Sequence, residues 1–280
     1  MMRPPVVAGQ FYADTRSALL KQIEQCYTSQ HGPGTIPKVK IGTRKIIGLV
    51  SPHAGYIYSG PVAVHGFARM AEDGCPASIV IIGPNHTGAG SGVSIMTSGK
   101  WNTPLGEVQI DEKLGEEIKR ASDIIDIDAV AHAYEHSIEV QLPFLQYLFD
   151  GKFKMVPICM MLQDEQTSIE VGDAIAKAAV NKDIVIVAST DFTHYETQRS
   201  AVEKDKKVIN KILAMDPSGV VRTVEREGIT MCGYGPVSAM LQAAKNLGAK
   251  KVELLKYATS GDTAGPMAQV VGYASILVSR

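Results

Sequence analysis

Three histidines follow three apolar, β-branched runs. In IIGLVSPHAGYIYSG, His53 comes after Ile46–Val50; in VIIGPNHTGAG, His86 comes after Ile79–Ile82; in DIVIVASTDFTHYE, Asp191 and His194 come after Ile184–Ala188. A neutral imidazole binds transition metals, and near neutral pH it also moves protons. A lone turn histidine is usually structural. Three at the same station after three strands share a location only if those strands are parallel neighbours, because open α/β sheets bind ligands outside the carboxyl ends of their strands. The pattern therefore predicts a shared metal or proton-transfer site. Cys232, in ITMCGYGPVSAMLQAA, is the fourth element. It stands just before a helix, whose N-terminus favours the thiolate. A thiolate is a good ligand for Fe, Zn or Cu. Cys26, Cys75 and Cys159 read as small buried hydrophobes. With no CxxC among the four, neither a zinc knuckle nor a disulfide framework is indicated.

Other signals point elsewhere. His132-Ala133-Tyr134-Glu135-His136 matches the inverted zincin motif H-x-x-E-H. A peptidase helix would place both histidines on one face, but Pro143 sits awkwardly in it. A helix starting near Glu135 or His136 fits as well, and leaves His136 and Glu139 as pocket residues. GAGSG at 88–92 lacks the spacing of a dinucleotide fingerprint. Ser189-Thr190-Asp191 with His194 has no nucleophile elbow around it. His31 and His65 read as surface or core.

The elements that must position these groups alternate. Strands are predicted at Ile46–Val50, Ile79–Ile82, Val93–Met96, Met155–Ile158, Ile184–Ala188, Val252–Tyr257 and Gln269–Val278. Several are continuously apolar, as strands covered on both faces are. Helices are predicted from Asp14 to Tyr27, and over Pro61–Met70, Asp111–Ala121, Gln163–Val180, Gln198–Met215 and Pro236–Leu247, with Asp216-Pro217 as a helix start. Val93–Met96 followed by WNTPLGEVQID looks antiparallel. The expectation is a three-layer α/β/α sandwich around a mixed central sheet, formed by one domain over 1–280.

Composition narrows the function classes. The 280 residues are 45% hydrophobic and 20% charged, with a net charge of −1 and 6% aromatics. No charge excess attracts nucleic acid or an anionic membrane. No apolar run approaches the roughly 20 residues of a spanning helix. No signal peptide is read at MMRPPVVAGQFYAD, so a cytoplasmic location is expected.

The segments RPPVVAGQFY, PHAGYIYSG, GPNHTG, TPLGEV, EHSIEVQLPF, STDFTHY, CGYGP and VVGYAS occur in order from residue 3 to about 276. Together they resemble the Memo family, whose microbial members accompany AMMECR-type and radical SAM proteins. That family is similar in fold to class III extradiol dioxygenases, which hold non-haem Fe(II) with two histidines and a carboxylate. The resemblance implies His53 and His86 as metal ligands, Cys232 in the carboxylate's place, His194 as acid/base and Asp191 beside the metal. Thiolate for carboxylate softens the site, so Fe(II) or Cu is favoured and Zn is tolerated. It also argues against carrying ring cleavage over. The expected function is a mononuclear, redox-active metal-binding protein taking a small-molecule or peptide ligand. The alternative is a non-catalytic adaptor that uses the same crevice for a protein partner, an AMMECR-like or radical SAM protein among the candidates.

Overall fold

The computed structural model describes residues 1–280. Ile46–Ser51, Ile184–Ser189, Ser78–Pro84 and Lys154–Met160 lie side by side in that order, all parallel. They form the centre of a nine-stranded sheet. Antiparallel strands flank them: Val270–Ser279 beside Ile46–Ser51, then Lys251–Thr259, and Val93–Ile95 beside Lys154–Met160. The sheet is mixed, as expected. The WNTPLGEV stretch leaves it, pairing as Lys100–Thr103 with Gly106–Gln109 in a separate small sheet that also takes Met2–Arg3.

Alternate residues of the central strands enter two different cores. Leu49, Ile79, Ile81, Val185 and Val187 meet Leu19, Phe67 and Leu145 from the helices Arg16–Thr28, Tyr56–Asp73 and Leu142–Phe149. Val50, Val80, Ile82, Ile186 and Ala188 meet Val171, Ile175 and Met240 from Glu165–Ala179 and Tyr234–Asn246. Both sheet faces are thus helix-covered, which is why these strands are apolar throughout rather than at every second position. Each fully buried Val or Ile side chain contributes on the order of 1.5–3 kcal/mol. A slip of one residue would exchange the two faces of a strand, so the sizes of its neighbours fix the register.

Two helix expectations change. The helix after His53 starts at Tyr56 and runs through Pro61. Proline removes one intrahelical bond, and the carbonyl left free belongs to Ile57, whose residue is 61% exposed and open to water. The second concerns the zincin-like segment, which is not helical at all. Helix begins with a 3-10 turn at Glu139–Gln141 and continues as Leu142–Phe149, with Pro143 in its first turn where a missing N–H costs nothing. Where Asp111 and Asp216 start helices, their side chains accept the backbone N–H of Leu114 and Gly219.

Candidate metal centre

His53, His86 and His194 follow the carboxyl ends of three adjacent parallel strands; His53 and His86 converge with Cys232, and His194 lies outside that group. Donor atoms of His53, His86 and Cys232 lie within 4.8 Å of one another. The His53 and His86 rings meet edge to face at 5.2 Å, and Cys232 Sγ is 3.3 Å from His53 Nε2.

Hydrogen bonds decide which ring nitrogens are free. Ser189 Oγ donates to Ser137 O at 2.7 Å and accepts from Gln141 Nε2 at 2.8 Å. It can therefore only accept from His53, whose Nδ1 lies 2.8 Å away. His53 Nδ1 carries the proton, and Nε2 presents a lone pair. His86 follows the same logic, with Nδ1 donating to Glu135 Oε1 at 2.9 Å while its backbone N–H donates to Glu135 Oε2 at 2.5 Å. A carboxylate behind a histidine in this way fixes the tautomer and raises the basicity of the other nitrogen. In His194, Nδ1 donates to Thr230 O at 2.8 Å, and Thr230 Oγ1 accepts the His194 backbone N–H at 2.7 Å. Its Nε2 is likewise free.

Glycine lets these loops close up. A Cβ at Gly83, in the strand before His86, would lie 2.3 Å from Ser137 Oγ, and one at Gly233, next to Cys232, 2.4 Å from Ser189 O. The Cys232 segment is pinned further. Cys232 N donates to Asp191 O at 3.3 Å, Asp191 N to Cys232 Sγ at 3.2 Å, and Gly233 N to Thr190 Oγ1 at 2.9 Å. Gln163 clamps the helix start through Cys232 O and the Gly235 N–H, each at 2.9 Å.

The electrostatics correct one expectation. Helix proximity does not make Cys232 a thiolate: burial and the neighbouring Asp191 charge push its pKa up. A cation must supply the charge that ionises it. Burial, reinforced by His136, His86 and His194, holds His53 neutral, well below the usual imidazole range. Burial would also raise Glu135, but the His86 hydrogen bond and the charges of His86 and His136 outweigh it and bring it down to about 2. Asp191 is raised to about 6 by burial, against the lowering pull of His194 and the His53 N–H.

His136 does enter the site. Its ring stacks on His86 at 4.6 Å, stands edge-on to His53 at 5.4 Å, and places Nδ1 3.4 Å from Glu135 Oε1. Glu139, expected in the pocket, is spent instead on Arg3 Nη1, the N–H groups of Val6 and Val7, and Tyr12 OH. Asp191, expected beside the metal, turns Oδ1 to the His53 N–H at 2.9 Å and is outside the group of converging donors. His132 is wholly buried beneath Trp101.

The chain matches the Memo-like protein family over residues 3–277. It is 51% identical over 282 residues to a MEMO1 family protein of Methanopyrus kandleri, covering 100% of both chains. It is 52% identical over 285 residues to another from Methanocaldococcus jannaschii, covering 99% of each. This chain belongs to the Memo family. Among solved structures, an uncharacterized protein of Escherichia coli K12 shares the fold, with a TM-score of 0.61 at 14% identity over 83% of this chain and 99% of that one.

Reading strand ends for chemistry misses the residues that orient the Memo-family histidines, namely Ser189, Gln141 and Glu135. In the sequence Ser189 reads as a nucleophile without an elbow, and Glu135 as part of the zincin-like motif or as a helix start. A usable signal was their place inside STDFTHY and EHSIEVQLPF, two of the segments that carry the family resemblance. No helix is long and apolar enough to cross a membrane.

Proposed function

We propose that this Memo-family protein holds one transition-metal ion between His53 Nε2, His86 Nε2 and Cys232 Sγ, and that it is redox-active with Fe or Cu. One observation carries the reading: Nδ1 of each histidine is already committed as a donor, which leaves Nε2 as the free lone pair of both, and His53 Nε2 lies 3.3 Å from the sulfur. The spacing fits. Tetrahedral bonds of about 2.05 Å to nitrogen and about 2.3 Å to sulfur put those donors about 3.5 Å apart, against 3.3 Å for His53 Nε2 and Cys232 Sγ. Two imidazoles and a thiolate form a soft-to-borderline set suited to Fe(II), Cu or Zn.

A bound ion supplies Lewis acidity and, if it is Fe or Cu, one-electron chemistry. The protein supplies the rest. Ser189 and Glu135 orient the ligand rings, and Asp191 holds the His53 backbone. His194, its Nδ1 tied to Thr230, keeps Nε2 available to take a proton from a bound substrate. The family's likeness in fold to class III extradiol dioxygenases, a three-layer α/β/α design, supports an acid/base role for His194.

The test is metal content after anaerobic purification. Wild type should carry near-stoichiometric metal and His53→Ala none; equal content in both sinks the reading. Oxygen uptake with catechols then separates turnover from mere binding. The adaptor reading is favoured by the exposure of Ile57, Tyr58 and Tyr195, close in sequence to His53 and His194. It expects a folded complex with a peptide or protein partner and no metal-dependent uptake.

A further inference from the structure

Arg3 is buried, and its guanidinium is spent on a single short stretch of chain. Nε donates to His132 O at 2.6 Å, Nη2 to Glu135 O at 2.6 Å, and Nη1 to Glu139 Oε2 at 2.7 Å. Its Cζ sits over the Trp101 ring, 3.9 Å from the centroid. Three acceptors in three directions and an aromatic face suit a rigid guanidinium and not an ammonium. Glu139 completes the clamp by gathering the rest of the segment, through Val6 N at 3.0 Å, Val7 N at 3.1 Å and Tyr12 OH at 2.7 Å.

Two buried opposite charges thus fasten residues 3–12 to residues 132–139. The second stretch carries Glu135, which fixes His86, and His136, which stacks on it. At the other end of the first stretch, Phe11 packs on His136 at 4.6 Å, and Phe11 O accepts the N–H of Tyr56 at 2.8 Å, where the helix after His53 begins. One segment therefore braces both loops that deliver imidazoles. It cannot lift off in part without leaving a buried charge unpaired.

We infer that the Arg3–Tyr12 segment is a working part of the metal centre: Arg3 is a positioning residue for His86, acting through Glu135, and docking of the segment is coupled to metal binding. This rests on the reading that His53, His86 and Cys232 hold the metal. Linkage makes the coupling reciprocal, so the factor by which docking tightens the metal equals the factor by which metal tightens docking.

The experiment uses the full chain with Co(II) as both ligand and optical probe. Arg3→Met should weaken Co(II) by about tenfold or more, the usual effect of losing an outer-shell partner, and shift its absorption bands. Arg3→Lys, which keeps the Glu139 ion pair but not both carbonyl contacts, should fall between. Arg44→Met removes the pairs with Asp73 and Asp183 at the opposite end of the sheet. It should lower Tm yet leave affinity and spectrum alone. In wild type, hydrogen exchange at the Val6 and Val7 amides should slow when one equivalent of Co(II) is added. Wild-type affinity and spectrum in Arg3→Met, or unchanged exchange at those amides, overturns the inference while the metal reading stands. Failure of wild type to bind Co(II) removes the metal reading itself. If Arg3→Met does not fold, Arg3→Lys and the wild-type exchange data decide.

Discussion

Glu135→Gln tests the centre with a change of one atom. The carboxylate accepts three hydrogen bonds: His86 Nδ1–H and Ser137 N–H on Oε1, and His86 N–H on Oε2. An amide has one oxygen for these three donors. If that oxygen keeps Oε1's place, the new NH₂ faces the His86 N–H donor to donor. If the amide is turned, NH₂ faces His86 Nδ1, the imidazole proton moves to Nε2, and the ligating lone pair is gone. The apoprotein can settle into the turned arrangement, whereas a metal on Nε2 requires the first, so binding must carry the donor-to-donor contact, a cost of about 1–3 kcal/mol. At about 1.4 kcal/mol per factor of ten in a binding constant, metal affinity should fall roughly 5- to 150-fold. The assay is competition for Zn(II) against a chromophoric chelator, with apoprotein Tm followed in parallel to detect unfolding. Wild-type affinity in a folded Glu135→Gln protein would refute the claim that this carboxylate sets the His86 tautomer.

Three further outcomes are expected. Cys232→Asp replaces the soft donor with a hard one, so Zn(II) and Cu(I) affinity should drop by at least about tenfold while Fe(II) is retained, as competitive metal loading would reveal. His132 and His136 are each held at about 4 in the fold, chiefly by burial, against 6.5 unfolded. Between those values the unfolded chain binds more protons, so stability falls as pH drops through this window. Tm of chelator-treated protein should therefore decline from pH 7 to pH 5, less steeply in His132→Phe; a flat profile would contradict buried neutral imidazoles. Burial pushes Cys26 up to about 12. Its thiolate fraction at pH 8 is then on the order of 10⁻⁴, so mapped iodoacetamide labelling of native protein should reach the more exposed Cys75 long before Cys26.

The sequence by itself determined the station of each chemical group. An apolar β-branched run is a covered strand in any arrangement, and a histidine placed just after it must stand at that strand's carboxyl end. His53, His86 and His194 were legible for that reason, as was the alternation of strands with helices. Cys232 was legible as a thiol just before a helix, and the ordered family segments assigned it the carboxylate ligand's place. What the one-dimensional pattern could not contain was the pairing of strands far apart in the chain. Only the placement of Ile184–Ser189 between Ile46–Ser51 and Ser78–Pro84 brings the loops together. The free nitrogens were equally out of reach, because Ser189, Gln141 and Glu135 fix the tautomers through contacts across 48 to 136 residues of chain. Glu139 shows the limit from the other side. Its spacing from His136 suggested a shared pocket, yet a fully buried carboxylate needs a charged partner, and the tertiary fold supplied Arg3.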